Sequence, residues 1–415
     1  MKIANWKLKI KTNVKIFLIS LFYLVRHPRR FYNALSSRGK KWALRGLITL
    51  LIILIAVPVS LWYSAKNAKA AWWNENWMYR KRIDITNGSG SNLTDFQVSF
   101  TIDTTDTTKF QATCADIRVT DNTGKLIPYW IEENNPGCGN ASTKIWTKVP
   151  SLPSSGGTIY VYYGNQSATA AQSGEKTFDF FDDFDADSIN SAKWDEVIEG
   201  TGGTVSTSGG AAVLSPNANT ISSANLRSVA TFTNNVVFEM RRKQATNERY
   251  LDFSLGSGSV VDTDNGGSTD WWHTSTLSGY VWYYNAPGNA ANGIYRMPVA
   301  GGKVGVNTSS FTTDTSTYKI HKMSYSSAGA ISWSIDGVSE ASGTDNTFLS
   351  DAKKIMISEG EYSNGLGDDQ SVDWIYAHKY ASTAPTTSLA SEEKGPGPLA
   401  YWKLDEGHGD LETAI

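Results

Sequence analysis

The sequence predicts an all-β body of two sandwich-like units behind a single N-terminal membrane helix. Three observations predict it. From Trp72 onward, short runs alternate apolar and polar residues and are separated by polar turns. Charged residues make up only 19%, below the roughly 25% of an average soluble domain. Gly, Ser, Thr, Asn, Trp and Tyr fill the difference, a mix that suits short strands and polar turns better than a helical bundle. The third observation is one uncharged run, Gly46 to Tyr63, that follows a strongly basic tail.

The tail comes first. Residues 1–45 hold 12 Lys and Arg and no Asp or Glu, leaving 26 basic against 40 acidic residues for the rest of the chain. A basic tail alone could serve nucleic acid; the apolar run behind it argues for a membrane instead, and no nucleic-acid partner is expected. As a helix, the 18 residues from Gly46 to Tyr63 would span about 27 Å, against a hydrocarbon core of about 30 Å. Trp42, Trp62 and Tyr63 fit interfacial anchors, and the basic flank places the N-terminus inside. The expectation is a single-pass cell-membrane protein that contacts membrane lipid through this helix and carries its acidic body outside. Ala68-Lys69-Ala70 has the small-x-small form of a signal-peptidase site, so cleavage after Ala70 would release the body as a secreted protein. Ile16 to Val25 is too short to span and reads as a segment on the inner membrane face.

The body opens with Tyr79-Arg-Lys-Arg-Ile-Asp-Ile85, which runs into the turn pair Asn87-Gly88. Phe96 to Ile102, Ile117 to Val119, Tyr129 to Ile131, Lys144 to Val149 and Thr158 to Tyr163 follow, with turn signals at 121–124, 134–137 and 153–157 between them. Cys114 and Cys138 lie here. Outside the cytoplasm they are expected as a disulfide, with two free thiols as the alternative. Closing a loop of roughly 25 residues would contribute about 3–4 kcal/mol in the chain-entropy model.

Five ordered motifs carry a resemblance. They are Trp77-x-Tyr79-Arg80-Lys81-x-Ile83-x-Ile85, Asp116-Ile-Arg-Val119, Pro128-Tyr-Trp-Ile131, Trp146 with Val149-Pro150, and Tyr160-x-Tyr162-Tyr163-Gly164-Asn165. Residues 72–177 thereby resemble the domain-of-unknown-function 2341 family. That family occurs in large exported prokaryotic proteins and implies no established activity. A second unit, 178–391, opens on Phe178-Asp-Phe-Phe-Asp-Asp-Phe184 with Trp194 after it. It carries Trp333-Ser-Ile-Asp-Gly337 and closes on Val372-Asp-Trp-Ile375. In this order the motifs are similar to concanavalin A-like jelly rolls, which include lectins, laminin G-like modules and β-glucanases. Such a fold meets at its ends, which would bring Asp183 near Asp373. Residues 392–415 read as a linker and the start of a further laminin G-like module, from Leu399-Ala-Tyr-Trp402, which makes the chain a fragment of a longer protein.

Chemistry is sparse. Retaining glycoside hydrolysis needs two carboxylates about 5–5.5 Å apart, which the glucanase branch supplies as Glu-x-Asp-x-Glu or Glu-x-Asp-x-x-Glu. Neither pattern occurs. Glu359-Gly-Glu361 is close, but Ser358, Gly360, Ser363 and Gly365 make the segment read as a loop. The five histidines are scattered, and His321 and His378 read as ordinary outward-facing strand residues. Binding has more support. Trp271, Trp272, Trp282, Tyr283, Tyr284 and Tyr295 concentrate aromatics that could stack on sugar faces, although alternation should turn at least three of them into the core. Asp262, Asp264 and Asp270, and separately Asp183 and Asp373, offer hard oxygen ligands. They read first as solvated turn acids, with structural calcium as the one cofactor considered. The expected function is non-catalytic extracellular recognition of a carbohydrate or other cell-envelope ligand. A structural spacer or adhesin stalk is the first alternative and a polysaccharide-degrading hydrolase the second.

Overall fold

The computed structural model describes residues 72–217, 221–245, 251–257, 278–284, 292–297, 304–308, 316–362 and 369–395. The expected membrane helix, the Ala68–Ala70 site and the C-terminal linker and module start lie outside them. Among the described residues no helix is long and apolar enough to cross a membrane.

The alternating runs form strands because each buries one face. In β1 (Tyr79–Thr86), Ile83 and Ile85 turn inward, and in β2 (Leu93–Ile102), Phe96, Val98, Phe100 and Ile102 do the same. With β3 (Arg118–Asp121), β4 (Tyr129–Ile131), β5 (Thr143–Leu152) and β6 (Gly157–Tyr163) they make two small sheets around one core. The β5–β6 turn needs Gly156: its φ is +86°, and a Cβ there would lie 2.3 Å from the Ile85 carbonyl oxygen. Cys114 and Cys138 are bonded, joining the segment before β3 to the loop before β5.

A one-turn helix, α1 (Gly174–Thr177), capped by Ser173, leads into the second sandwich. This begins with β7 (Phe180–Asp182), β8 (Trp194–Glu199), β9 (Thr204–Thr207), β10 (Ala212–Ser215) and β11 (Ile221–Ser228). Next come β12 (Val236–Gln244), β13 (Leu251–Ser257), β14 (Ser278–Tyr284), β15 (Gly293–Met297) and β16 (Val304–Thr308). The last members are β17 (Lys319–Tyr325), β18 (Ala330–Ile335), β19 (Val338–Thr344), β20 (Lys354–Tyr362) and β21 (Gln370–Lys379). One sheet has the order β19-β18-β17-β12-β21-β10-β9, with β7 also on β21; the facing sheet has the order β16-β15-β14-β13-β20-β11-β8. This is the expected jelly roll, and its opening and closing strands do meet, with Asp182 opposite Ile375. The β18–β19 hairpin turns on Asp336 and Gly337, at φ +47° and +80°, the left-handed pair that a tight hairpin requires.

The final strand breaks the expected division. β22 (Thr386–Lys394) leaves the jelly roll and pairs antiparallel with β1 at the edge of the first sandwich. Residues 386–391, expected with the second unit, therefore complete the first, and the jelly roll is an insertion between β6 and β22. Ionic side chains fix this return: Glu393 meets Arg80 at 2.9 Å, and Glu392 meets Lys109 at 2.9 Å while accepting from Tyr163 Oη at 2.6 Å.

The two sandwiches share a third apolar cluster. Asp373 sits at a register shift in β21; before it Val372 faces the jelly-roll core, and after it Trp374 and Tyr376 face the other way. There they pack with Phe178, Phe181, Trp130 and Trp146 of the first sandwich and its connection. Tyr376 lies almost parallel to Phe178, ring centres 4.1 Å apart.

Candidate functional site

A cleft of about 590 Å³ opens beside this junction, within the roughly 300–1,000 Å³ usual for small-ligand sites. Its floor is the outer face of the jelly-roll sheet. Register places Glu239 of β12 between Tyr376 of β21 and Lys322 of β17, with Ser334 of β18 beyond Lys322. Alternation then brings Arg241 and Ile320 to the same face, next to Tyr318. The opposing wall is Lys144 and Trp146 of β5, Ser99 of β2 and the Asn134–Asn135 loop; Asp336 and Gly337 form the far rim.

The charged groups hold one another in place. Glu132 of the β4 end is fully buried, and its Oε2 accepts from Lys144 Nζ and from Trp146 Nε1, both at 2.8 Å. Glu239 is buried too. It meets Lys322 at 3.1 Å, His378 at 3.4 Å and Lys144 at 3.9 Å, and it accepts from Tyr376 Oη at 3.0 Å. Burial works to raise the Glu239 pKa, but the His378 hydrogen bond and the Lys322 and Lys144 cations outweigh it and hold the carboxyl well below its ordinary value. Burial likewise opposes the charge on Lys144, and Glu239 and Glu132 overcome it, so its pKa is raised. The Tyr376 hydroxyl, buried between the two carboxylates, is pushed far up and stays protonated. Arg241 pairs with Asp373 at 2.7 Å and lies 4.1 Å from the Tyr318 ring centre. Asn134 and Asn135 donate Nδ2 to Asp373 and Glu132, and their Oδ1 atoms have no partner among the described residues. Asp336 accepts from the Ile320 amide at 2.8 Å and pairs with Lys319 at 3.0 Å.

One end of the cleft is acidic. Burial and the charges of Asp185, Asp183 and Asp373 push Glu133 up to about 7, and burial, Asp183 and Asp373 raise Asp185. So the structure does bring Asp183 and Asp373 into one electrostatic neighbourhood. Among the described residues, however, no group of three or more His, Cys, Asp or Glu side chains could hold a metal ion. Asp373 is instead paired with Arg241. Asp262, Asp264 and Asp270, like Trp271 and Trp272, lie outside the described residues.

The other sequence-selected residues are placed differently from a stacking platform. Trp282 and Tyr284 join the jelly-roll core; Tyr283 and Tyr295 are also buried, their rings 6.1 Å apart. None of these four rings offers a face to solvent, because both sides of β14 are covered and Tyr295 is buried on β15 beside it. The Glu359–Glu361 segment is not a loop but part of β20, made extended by pairing with β11 and β13 on either side. Glu359 points between the sheets, fully buried, and accepts from the amides of Gln244 at 3.3 Å and Gln370 at 3.2 Å. His321 also departs from expectation. It faces inward beside Arg242, with Nδ1 3.1 Å from that guanidinium, and burial followed by the Arg242 charge lowers its pKa well below the ordinary value. His378 faces outward, but the first sandwich covers it.

Sequence reasoning missed the cleft residues because charges at alternate strand positions look like a solvated face. The available signal was the company they keep: Trp146, Trp374 and Tyr376 occupy outward positions beside them, too much aromatic surface to leave in water.

Residues 113–197 match the family described as "Domain of unknown function (DUF2341)". The matched stretch runs from before β3, through β4 to β6 and α1, into β8. Among curated proteins none matches the chain. Among solved structures, the chain is similar to LamAcat from Zobellia galactanivorans at 14% identity and a TM-score of 0.36, over 50% of this chain and 100% of that one. It is similar to the endo-beta-1,3-glucanase of Pyrococcus furiosus at 14% and 0.36, over 50% and 95%. The Bacillus licheniformis beta-glucanase follows at 16% and 0.35, over 48% and 97%. At these values the likeness speaks to neither activity nor ligand.

Proposed function

We propose that this chain is an extracytoplasmic recognition protein that binds a carbohydrate in the cleft between its two sandwiches without cleaving it. The observation that carries the reading is the cleft's composition: a ligand-sized opening whose ammonium, guanidinium, carboxylate and amide groups are already fixed by one another. Preset donors and acceptors suit a polyol, because little side-chain freedom remains to be lost on binding. An outside location is supported by the Cys114–Cys138 disulfide and by the uncharged run behind the basic tail. In that setting the protein is membrane-anchored, or secreted after cleavage at Ala70. The non-catalytic part of the reading rests on Glu359, whose carboxylate is closed off between the sheets.

A glycan array probed with the full chain tests this. Saturable binding to at least one oligosaccharide is expected, with loss of at least tenfold in Lys322→Ala. A second variant, Ser334→Phe, narrows the cleft from the other strand and should weaken binding while thermal melting stays close to wild type. No saturable binding would instead favour a structural spacer. Release of reducing ends from a bound glycan would restore the hydrolase reading.

A further inference from the structure

The cleft's charges say which carbohydrates it can take. Four cations reach it or its rim, and each has a carboxylate partner: Lys144 with Glu132, Lys322 with Glu239, Arg241 with Asp373, and Lys319 with Asp336. No positive charge is left over among these groups. Lys243 rests 5.0 Å from the Tyr318 ring centre, beside Arg241 and so at the same end as Asp373; there Asp183 and Asp185, with Glu133, gather around Asp373 and outnumber that lysine. The field at that end is therefore negative.

We infer that the ligand is an uncharged oligosaccharide, and that uronate-containing or sulfated glycans are excluded. This rests on the recognition reading above and specifies its ligand. An incoming carboxylate or sulfate would leave water to meet cations already paired within the cleft, and it would face the carboxylates that outnumber Lys243 at its acidic end. A sugar hydroxyl has neither difficulty. It donates and accepts at once, so one hydroxyl can accept from Lys322 Nζ while donating to a carboxylate or to an Asn135 or Asn134 amide oxygen. Hydrogen bonds to charged groups are the stronger kind, so a matched ion-pair array can hold neutral hydroxyls without any net charge.

The test compares each acidic oligosaccharide with its own carboxyl-reduced form, so that the pair differs in charge and little else. Oligogalacturonate hexamers and hyaluronan hexamers serve as probes, with a neutral N-acetylglucosamine hexamer and β-1,3-glucan hexamer beside them, titrated calorimetrically into the full chain. The expected result is that neutral forms bind at least tenfold more tightly than their acidic parents. Asp336→Asn supplies a variant that should fold, since asparagine keeps the acceptor for the Ile320 amide and suits a left-handed position before glycine. It frees the Lys319 charge, so at low salt it should tighten binding of acidic forms about threefold, an effect that added salt removes. Equal or tighter binding of an acidic hexamer by the wild-type chain would overturn the inference and leave recognition intact. Failure of every hexamer to bind, neutral or acidic, would overturn the recognition reading and the inference with it.

Discussion

Glu133 carries a pH dependence that can be read directly from its surroundings. Burial, then Asp185, Asp183 and Asp373, raise it from 4.5 to about 7. Between those values the folded state keeps a proton that the unfolded chain has lost, so this residue makes stability fall as pH rises from about 4.5 to about 7. Glu133→Gln should therefore stabilise the protein at pH 8, by about 1 kcal/mol once solvent screening is allowed for, and make little difference at pH 4. Urea titrations at the two pH values check this; an equal effect at both would contradict it. Glu239 acts in the opposite sense: its lowered value makes it a source of stability that is lost as pH falls below about 4.5. At this scale the sequence was legible where a residue's role is local. Cys114 and Cys138 were expected as a disulfide and are bonded, and the inward turn of Trp282 and Tyr284 followed from alternation. The environments of Glu133, Glu239 and His321 were not legible, because each is set by strands distant in the chain.

Strands followed the same division. β1, β2, β4, β5, β6, β12, β17, β18 and β21 lie close to the runs read from the sequence: β1 and β18 bury one face and keep a period of two, whereas β4, β6, β12 and β21 are covered on both faces and show as short apolar and aromatic runs. β20 and β22 could not be read this way. Ser358 and Gly360 sit in β20 because neighbours pair on both sides, and Thr386-Thr-Ser-Leu-Ala-Ser-Glu-Glu-Lys394 has only Leu389 packed against the core of the first sandwich. Pairing, not propensity, decides both. β22 is nonetheless needed: it covers the free edge of β1, and its Glu392 and Glu393 meet Lys109, Tyr163 and Arg80. A fragment of residues 72–177 should therefore fail to melt cooperatively, whereas the same fragment with residues 386–395 joined by a flexible linker should do so. Cooperative melting of the shorter fragment at the same temperature would show that β22 is dispensable.

For the whole molecule, the insertion changes what the body can be. β1 starts beside the end of β22, with Tyr79 opposite Lys394 and the Gly395 amide bonded to the Met78 carbonyl. The chain thus enters and leaves the first sandwich at one point, and the inserted jelly roll packs against that sandwich through the shared aromatic cluster. Tension between the two ends would unzip the β1–β22 pair one hydrogen bond at a time rather than shear it all at once. Single-molecule pulling on residues 72 and 395 should give a first event at low force that releases β22. High-force rupture of the body as one unit would instead suit a load-bearing stalk. The insertion was not foreseeable from the order of motifs, which reads as two consecutive units.

The cleft is the centre of this account, and hydrogen exchange in the full chain tests it most directly. With a saturating neutral oligosaccharide, amides of 144–146 on β5, 239–241 on β12 and 318–322 beside and on β17 should exchange more slowly, while β8 and β9 at the far edges stay unchanged. Protection confined to other segments, with these three left as in the free protein, would contradict the assignment of the cleft as the binding site.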